Sequence, residues 1–146
     1  MSLVLERSEK QVWLVELDQS ATFSLPFPAE PYVCMVWANR SGVALEERES
    51  LADALIATGC RYIVCGGADC EKWHDSADDA YLARDPECKN DNTFVMTTWH
   101  ENESQEDVVF FFLTCTGVEN ATLNRYLIVQ VGRDERHASL LSSLVS

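Results

Sequence analysis

Short apolar runs alternate with amphipathic helical stretches from Pro31 to Val145, and this alternation limits the fold more than any other feature. Five runs read as strands: Gln11–Leu17, Pro31–Ala38, Arg61–Cys65, Thr93–Thr98 and Arg125–Val131. Each is rich in Val, Ile, Phe, Tyr or Trp, and several are apolar on both alternating faces, as strands buried on two sides are. Four helical stretches alternate with them. Leu45–Thr58 carries Leu51, Ala52, Leu55 and Ile56 as one stripe and stops at Gly59. Asp69–Arg84 groups Cys70, Trp73, His74, Ala77, Ala80 and Tyr81 on one face, with Glu71, Asp75, Asp78 and Asp79 on the other. Ser104–Cys115 opens with Ser104 and has Asp107 at its third helical position, close to a capping box. Arg133–Val145 gathers Leu140, Leu141, Leu144 and Val145. Repeated strand-helix units with right-handed crossovers predict an α/β three-layer sandwich: a mainly parallel five-stranded sheet with helices on both faces. The first strand reaches the second through Ser20–Glu30, which holds Pro26 and Pro28 and no helix, so its direction stays open between parallel and an antiparallel edge.

The 146 residues, 47% of them hydrophobic, are enough to bury one core, and no repeat, linker or low-complexity tract divides them; residues 1–146 read as a single α/β domain. The net charge of −13 repels phosphate backbones and anionic lipid, which argues against nucleic-acid or membrane partners and favours a basic partner protein. Its bland reading is solubility alone. No secretory signal opens the chain, and the longest apolar runs, Val108–Leu113 and Tyr126–Val129, are too short to span a bilayer; a cytoplasmic location is the default expectation. Six cysteines without a CxxC pair, three of them (Cys34, Cys65 and Cys115) in or beside apolar runs, are expected as mostly buried free thiols.

Ligands of open parallel sheets bind beyond the carboxyl ends of the strands. Two of those ends are unusual here: Cys65-Gly66-Gly67-Ala68-Asp69-Cys70 and Thr97-Thr98-Trp99-His100-Glu101. Gly66 and Gly67 permit a sharp turn into a helix N-terminus, which favours an anion, although neither GxGxxG nor a Walker loop is present. Strand-to-helix turns need small residues in any case. Trp-His occurs as Trp73-His74 and Trp99-His100; the first pair falls on an apolar helix face, as core residues do, and the second at a strand end and loop, a better place for function. Cys70 and His74 lie one helical turn apart. There a thiolate beside an imidazolium would be nucleophilic, and burial works against it. The pair could also bind metal only by importing Cys65 or His100, so no metal and no cofactor is assigned. Gly66, Gly67, Cys70, His74, Trp99 and His100 are the candidate ligand-binding residues.

Cys60-Arg61-Tyr62-Ile63-Val64-Cys65-Gly66-Gly67, Cys70-Glu71-Lys72-Trp73-His74-Asp75, Thr97-Thr98-Trp99-His100-Glu101 and Phe110-Phe111-Phe112 resemble a small uncharacterised bacterial domain family over roughly residues 45–132. That resemblance implies a bacterial source and one α/β domain, and carries no catalytic role. The leading functional expectation is an acidic, non-enzymatic interaction or regulatory domain that binds a partner protein. The alternative is a small-molecule or nucleotide-binding domain, catalytic or not, with its site around Gly66-Gly67 and Trp99-His100.

Overall fold

The fold was described from a computed structural model, which describes residues 2–7, 10–17 and 23–132. Along the chain run β1 (Ser2–Arg7), β2 (Lys10–Leu17), β3 (Tyr32–Ala38), α1 (Leu45–Ala57), β4 (Cys60–Gly67), α2 (Cys70–Arg84), β5 (Met96–His100), α3 (Gln105–Thr114) and β6 (Arg125–Val131). The sheet order is β1-β2-β6-β3-β4-β5. Every neighbouring pair is parallel except β1 with β2. β3 is buried at every position, as its unbroken apolar run predicts for a central strand covered on both faces.

The order follows from handedness. From β3 the chain steps to β4 and then β5 through α1 and α2, which pack on one face over Cys34, Val36, Ile63 and Cys65. After β5 it must travel back past β4 and β3 to place β6. A right-handed crossover in that reversed direction puts α3 on the opposite face, over Val33, Met35, Tyr62 and Val64. Strand order therefore reverses between β3 and β6, and β5 is left as a sheet edge.

Several expectations meet corrections. The sheet has six strands, because Ser2–Arg7 forms a hairpin partner that the apolar pattern did not announce. The strand of uncertain direction, β2, is parallel to β6 and lies inside the sheet; the antiparallel edge is β1. The strand expected over Thr93–Thr98 begins later, at Met96, and runs to His100. Its displacement has a cause: Thr93 and Phe94 turn back onto the carbonyl of Asn90, and Arg61 binds the carbonyls of Phe94 and Asp91. Cys115 is exposed at the end of α3, whose buried stripe is Val108, Val109 and Phe112. Ser104 caps α3 as expected, its hydroxyl accepting from the Asp107 amide at 3.1 Å. The helix expected over Arg133–Val145 lies outside the described residues.

Candidate functional site

The Gly66-Gly67 turn is explained by strand packing. A Cβ at Gly66 would lie 2.7 Å from the Trp37 ring, and one at Gly67 would lie 2.3 Å from the Ala38 carbonyl oxygen. Gly67 also has a φ of +81°, which side chains rarely adopt. At the start of α2, Asp69 adopts a left-handed conformation, and its carboxylate accepts from the Gly42 amide at 2.9 Å. Glu71 follows, and Glu101 acts on the adjacent Cys70 thiol. An anion approaching this helix N-terminus meets carboxylates, which offset the helix dipole.

β5 distributes the remaining candidates over two faces, because successive side chains of a strand alternate. Trp99 pairs in register with Cys65 and lies on the α2 face, where its ring meets the His74 ring at 4.5 Å between centroids. His100 pairs with Gly66 and lies on the α3 face, its ring 4.5 Å from that of Phe111. The sheet therefore separates the two imidazoles. Each is held by carboxylate: His74 Nδ1 lies 3.0 Å from Asp75 and its Nε2 3.5 Å from Asp78, while His100 Nδ1 lies 2.9 Å from Glu103. Thr97 ties β5 to α2 by donating to Asp78 at 2.5 Å, and Thr98 lies 3.0 Å from His100 Nε2. Trp73 is buried in the α1–α2 core.

Cys70 is buried, and burial pushes its thiol up; the backbone amides of His100 and Glu71 pull the other way without reversing the shift. His74 is directed at aspartates, and is not among the groups that tune Cys70. The arrangement opposes an activated thiol. Among the described residues no three His, Cys, Asp or Glu side chains converge to hold a metal.

Beyond β3 and β6, where strand order reverses, the strand mouths are stitched together. The Asn39 amide donates to Val131 and its side chain to the Gly132 carbonyl at 3.1 Å, while the Gly132 amide donates to Leu17. Just inside, Gln130 is fully buried, and among the described residues neither its oxygen nor its nitrogen has a hydrogen-bond partner.

The feature that sequence reasoning missed is the free edge of β5. Met96 and Trp99 are each 44% exposed there, one towards each face. Between Asp69 and Asp107 the chain carries twelve carboxylates against three Lys or Arg. Among the described residues β4 is the sole strand that pairs with β5. A hydrophobic edge ringed by carboxylates is thus the open surface at this end of the sheet.

A family model matches residues 12–146. The chain belongs to DUF7684, a domain of unknown function. The DUF7684 match is wider than the segment carrying the motif resemblance, and takes in β2 from Val12 and everything after it. No curated protein and no solved structure matches the chain. Among the described residues no helix is long and apolar enough to cross a membrane.

Proposed function

We propose that this DUF7684 chain is a non-enzymatic interaction domain that binds a basic partner protein, and that an extended segment of that partner adds to the β5 edge. The observation that carries the reading is the edge itself: half-exposed Met96 and Trp99 flanked by the carboxylates of α2 and of the β5–α3 connection. Strand addition supplies main-chain hydrogen bonds, and alternate side chains of the incoming strand reach the two faces. Lys or Arg on such a strand meets Asp75, Asp78 or Glu101, and a cation can also lie over the Trp99 indole. A second copy of this chain fits poorly, because two edges of like charge repel; acidic flanks guard exposed strands against self-pairing in this way.

The small-molecule reading over Gly66, Gly67, Cys70, His74, Trp99 and His100 has less support. The glycines answer to Trp37 and Ala38, and the two histidines face opposite sides of the sheet. The test is a fluorescence-anisotropy titration with a labelled ten-residue peptide alternating Lys and Val. Trp99→Ala and Glu101→Lys are each expected to weaken binding, the first by about tenfold or more. Equal affinity for a Glu-Val peptide, or no effect of either substitution, would refute the reading.

A further inference from the structure

A second opening lies at the far end of the sheet, where the C-terminal ends of α1 and α2 meet the amino ends of β3 and β4. It is a cavity of about 360 Å³, in the size range of small-molecule sites. Pro31, Ile56 and Tyr81 form its apolar wall; Arg61, Arg84 and the Asn90–Thr93 loop form the rest.

Arg61 is unusual. It is 6% exposed, yet among the described residues its guanidinium bonds only to neutral oxygens: Nε to the Phe94 carbonyl, and Nη2 to the Asp91 carbonyl and to Asn120 Oδ1, each at 2.9 Å. Among the described residues it makes no ion pair, and its Nη1 makes no hydrogen bond. In a chain carrying 24 acidic residues, a buried cation without a carboxylate is unexpected, because buried charges are normally paired.

Several acceptors around the cavity are already engaged, although Asp85 keeps its negative charge there. Asp85 accepts from Tyr81 Oη at 2.6 Å and from the amides of Lys89 and Asn90. The Asn90 side-chain oxygen accepts from the Asn92 amide, and the Asn92 side-chain oxygen from Asn120. At the end of α1, Ile56 accepts from the Gly59 amide, and Thr58 Oγ1 lies within 3.0 Å of the Ala54 and Leu55 carbonyls. Among the described residues the cavity also has donors to spare: Arg61 Nη1, the side-chain NH₂ groups of Asn90 and Asn92, and Arg84, whose exposed pairing with Asp53 leaves further N–H groups.

We propose that this cavity binds a small organic anion, its carboxylate or phosphate oxygens held by Arg61 and Arg84 and its apolar part against Ile56 and Tyr81. The site is separate from the β5 edge and stands or falls independently of the partner proposal. Planar guanidinium groups suit both kinds of oxyanion. Amide NMR titrations of the whole chain with succinate, phenyl phosphate and neutral succinamide, at a constant salt of about 150 mM, test it. Succinate or phenyl phosphate is expected to shift Gly59, Cys60 and Thr93 saturably, with a dissociation constant of about 1 mM or tighter; which of the two does so distinguishes carboxylate from phosphate. Arg84→Gln and Asn92→Asp, both at exposed positions, are each expected to weaken binding about tenfold. Arg40→Gln, beyond β3 at the opposite end, should leave it unchanged. Lack of saturation with both anions, equal shifts with succinamide, or full binding in both cavity variants would overturn the proposal.

Discussion

Replacing Gly66 by alanine puts a methyl 2.7 Å from Cζ3 and 2.8 Å from Cε3 of Trp37, and 3.2 Å from Cγ1 of Val108. Trp37 is buried between sheet and α3, so its ring has little room to move. The backbone at Gly66 is ordinary, so the effect is one of space alone. Overpacking of this kind costs about 1–3 kcal/mol. Gly67→Ala is worse: its methyl meets the Ala38 oxygen at 2.3 Å, a backbone atom that the β3–β4 pairing fixes, and φ is +81°. Strain and clash together should cost about 3 kcal/mol or more. Gly42→Ala is the control. Its φ is +76° but nothing lies within 4 Å of the added methyl, so only backbone strain of about 1 kcal/mol applies. Urea denaturation should rank the three as Gly42→Ala, then Gly66→Ala, then Gly67→Ala in increasing loss, with unchanged slopes. If Gly66→Ala and Gly67→Ala both stayed within about 0.5 kcal/mol of the parent, packing would not be what demands these glycines, and a ligand would regain its claim on the turn.

Three further outcomes are expected. Iodoacetamide should alkylate Cys88 and Cys115 in the folded protein and spare Cys34, Cys60, Cys65 and Cys70; burial also pushes the Cys60 thiol up to about 12 and raises Cys34 and Cys65. Because these thiols stay protonated in the folded state after the unfolded chain ionises, stability should fall from about pH 9 upward, by roughly 1 kcal/mol per pH unit for each thiol, and Cys34→Ala should flatten that slope in alkaline denaturation curves. Tyr81 and the Asn90 amide hold the Asp85 carboxyl below its ordinary 3.8, so this carboxylate's contribution is present above that value and lost as pH falls through the depressed one; carboxyl NMR should show Tyr81→Phe moving the midpoint back up. Gln130→Met removes two buried, unpartnered polar atoms and should raise stability by about 1–2 kcal/mol; a loss instead would mean that the carboxamide is engaged.

The central strands were legible because burial on both faces leaves an unbroken apolar run, as in Tyr32–Ala38, and α3 was legible from the Ser104 cap. The start of β5 was not. Thr93 and Phe94 have strand-forming side chains, and what pulls them into a turn is Arg61, far away in the chain. Cys115 falls in line with Val108 and Phe112 by helical spacing, but α3 ends at Thr114, so Cys115 leaves the helix and Thr116 is the residue buried there. For the six candidate ligand-binding residues, the grouping was not legible. Once β5 extends to His100, alternation sends Trp99 and His100 to opposite faces. Whether a glycine pair serves a ligand or a neighbouring indole depends on Trp37, which no local pattern links to Gly66. That β5 is an edge follows from the side of β3 on which β6 inserts, a choice made by three-dimensional packing.

Amide hydrogen exchange at β5 tests the central claim most directly. With the Lys-Val peptide present, the amides of Met96–His100 should exchange more slowly, while those of the interior strand β3 should not change. The protection should fade as salt rises from about 50 to 500 mM, since carboxylate attraction is screened. Unchanged exchange at β5 with peptide bound, or equal protection by a Glu-Val peptide, would contradict the account.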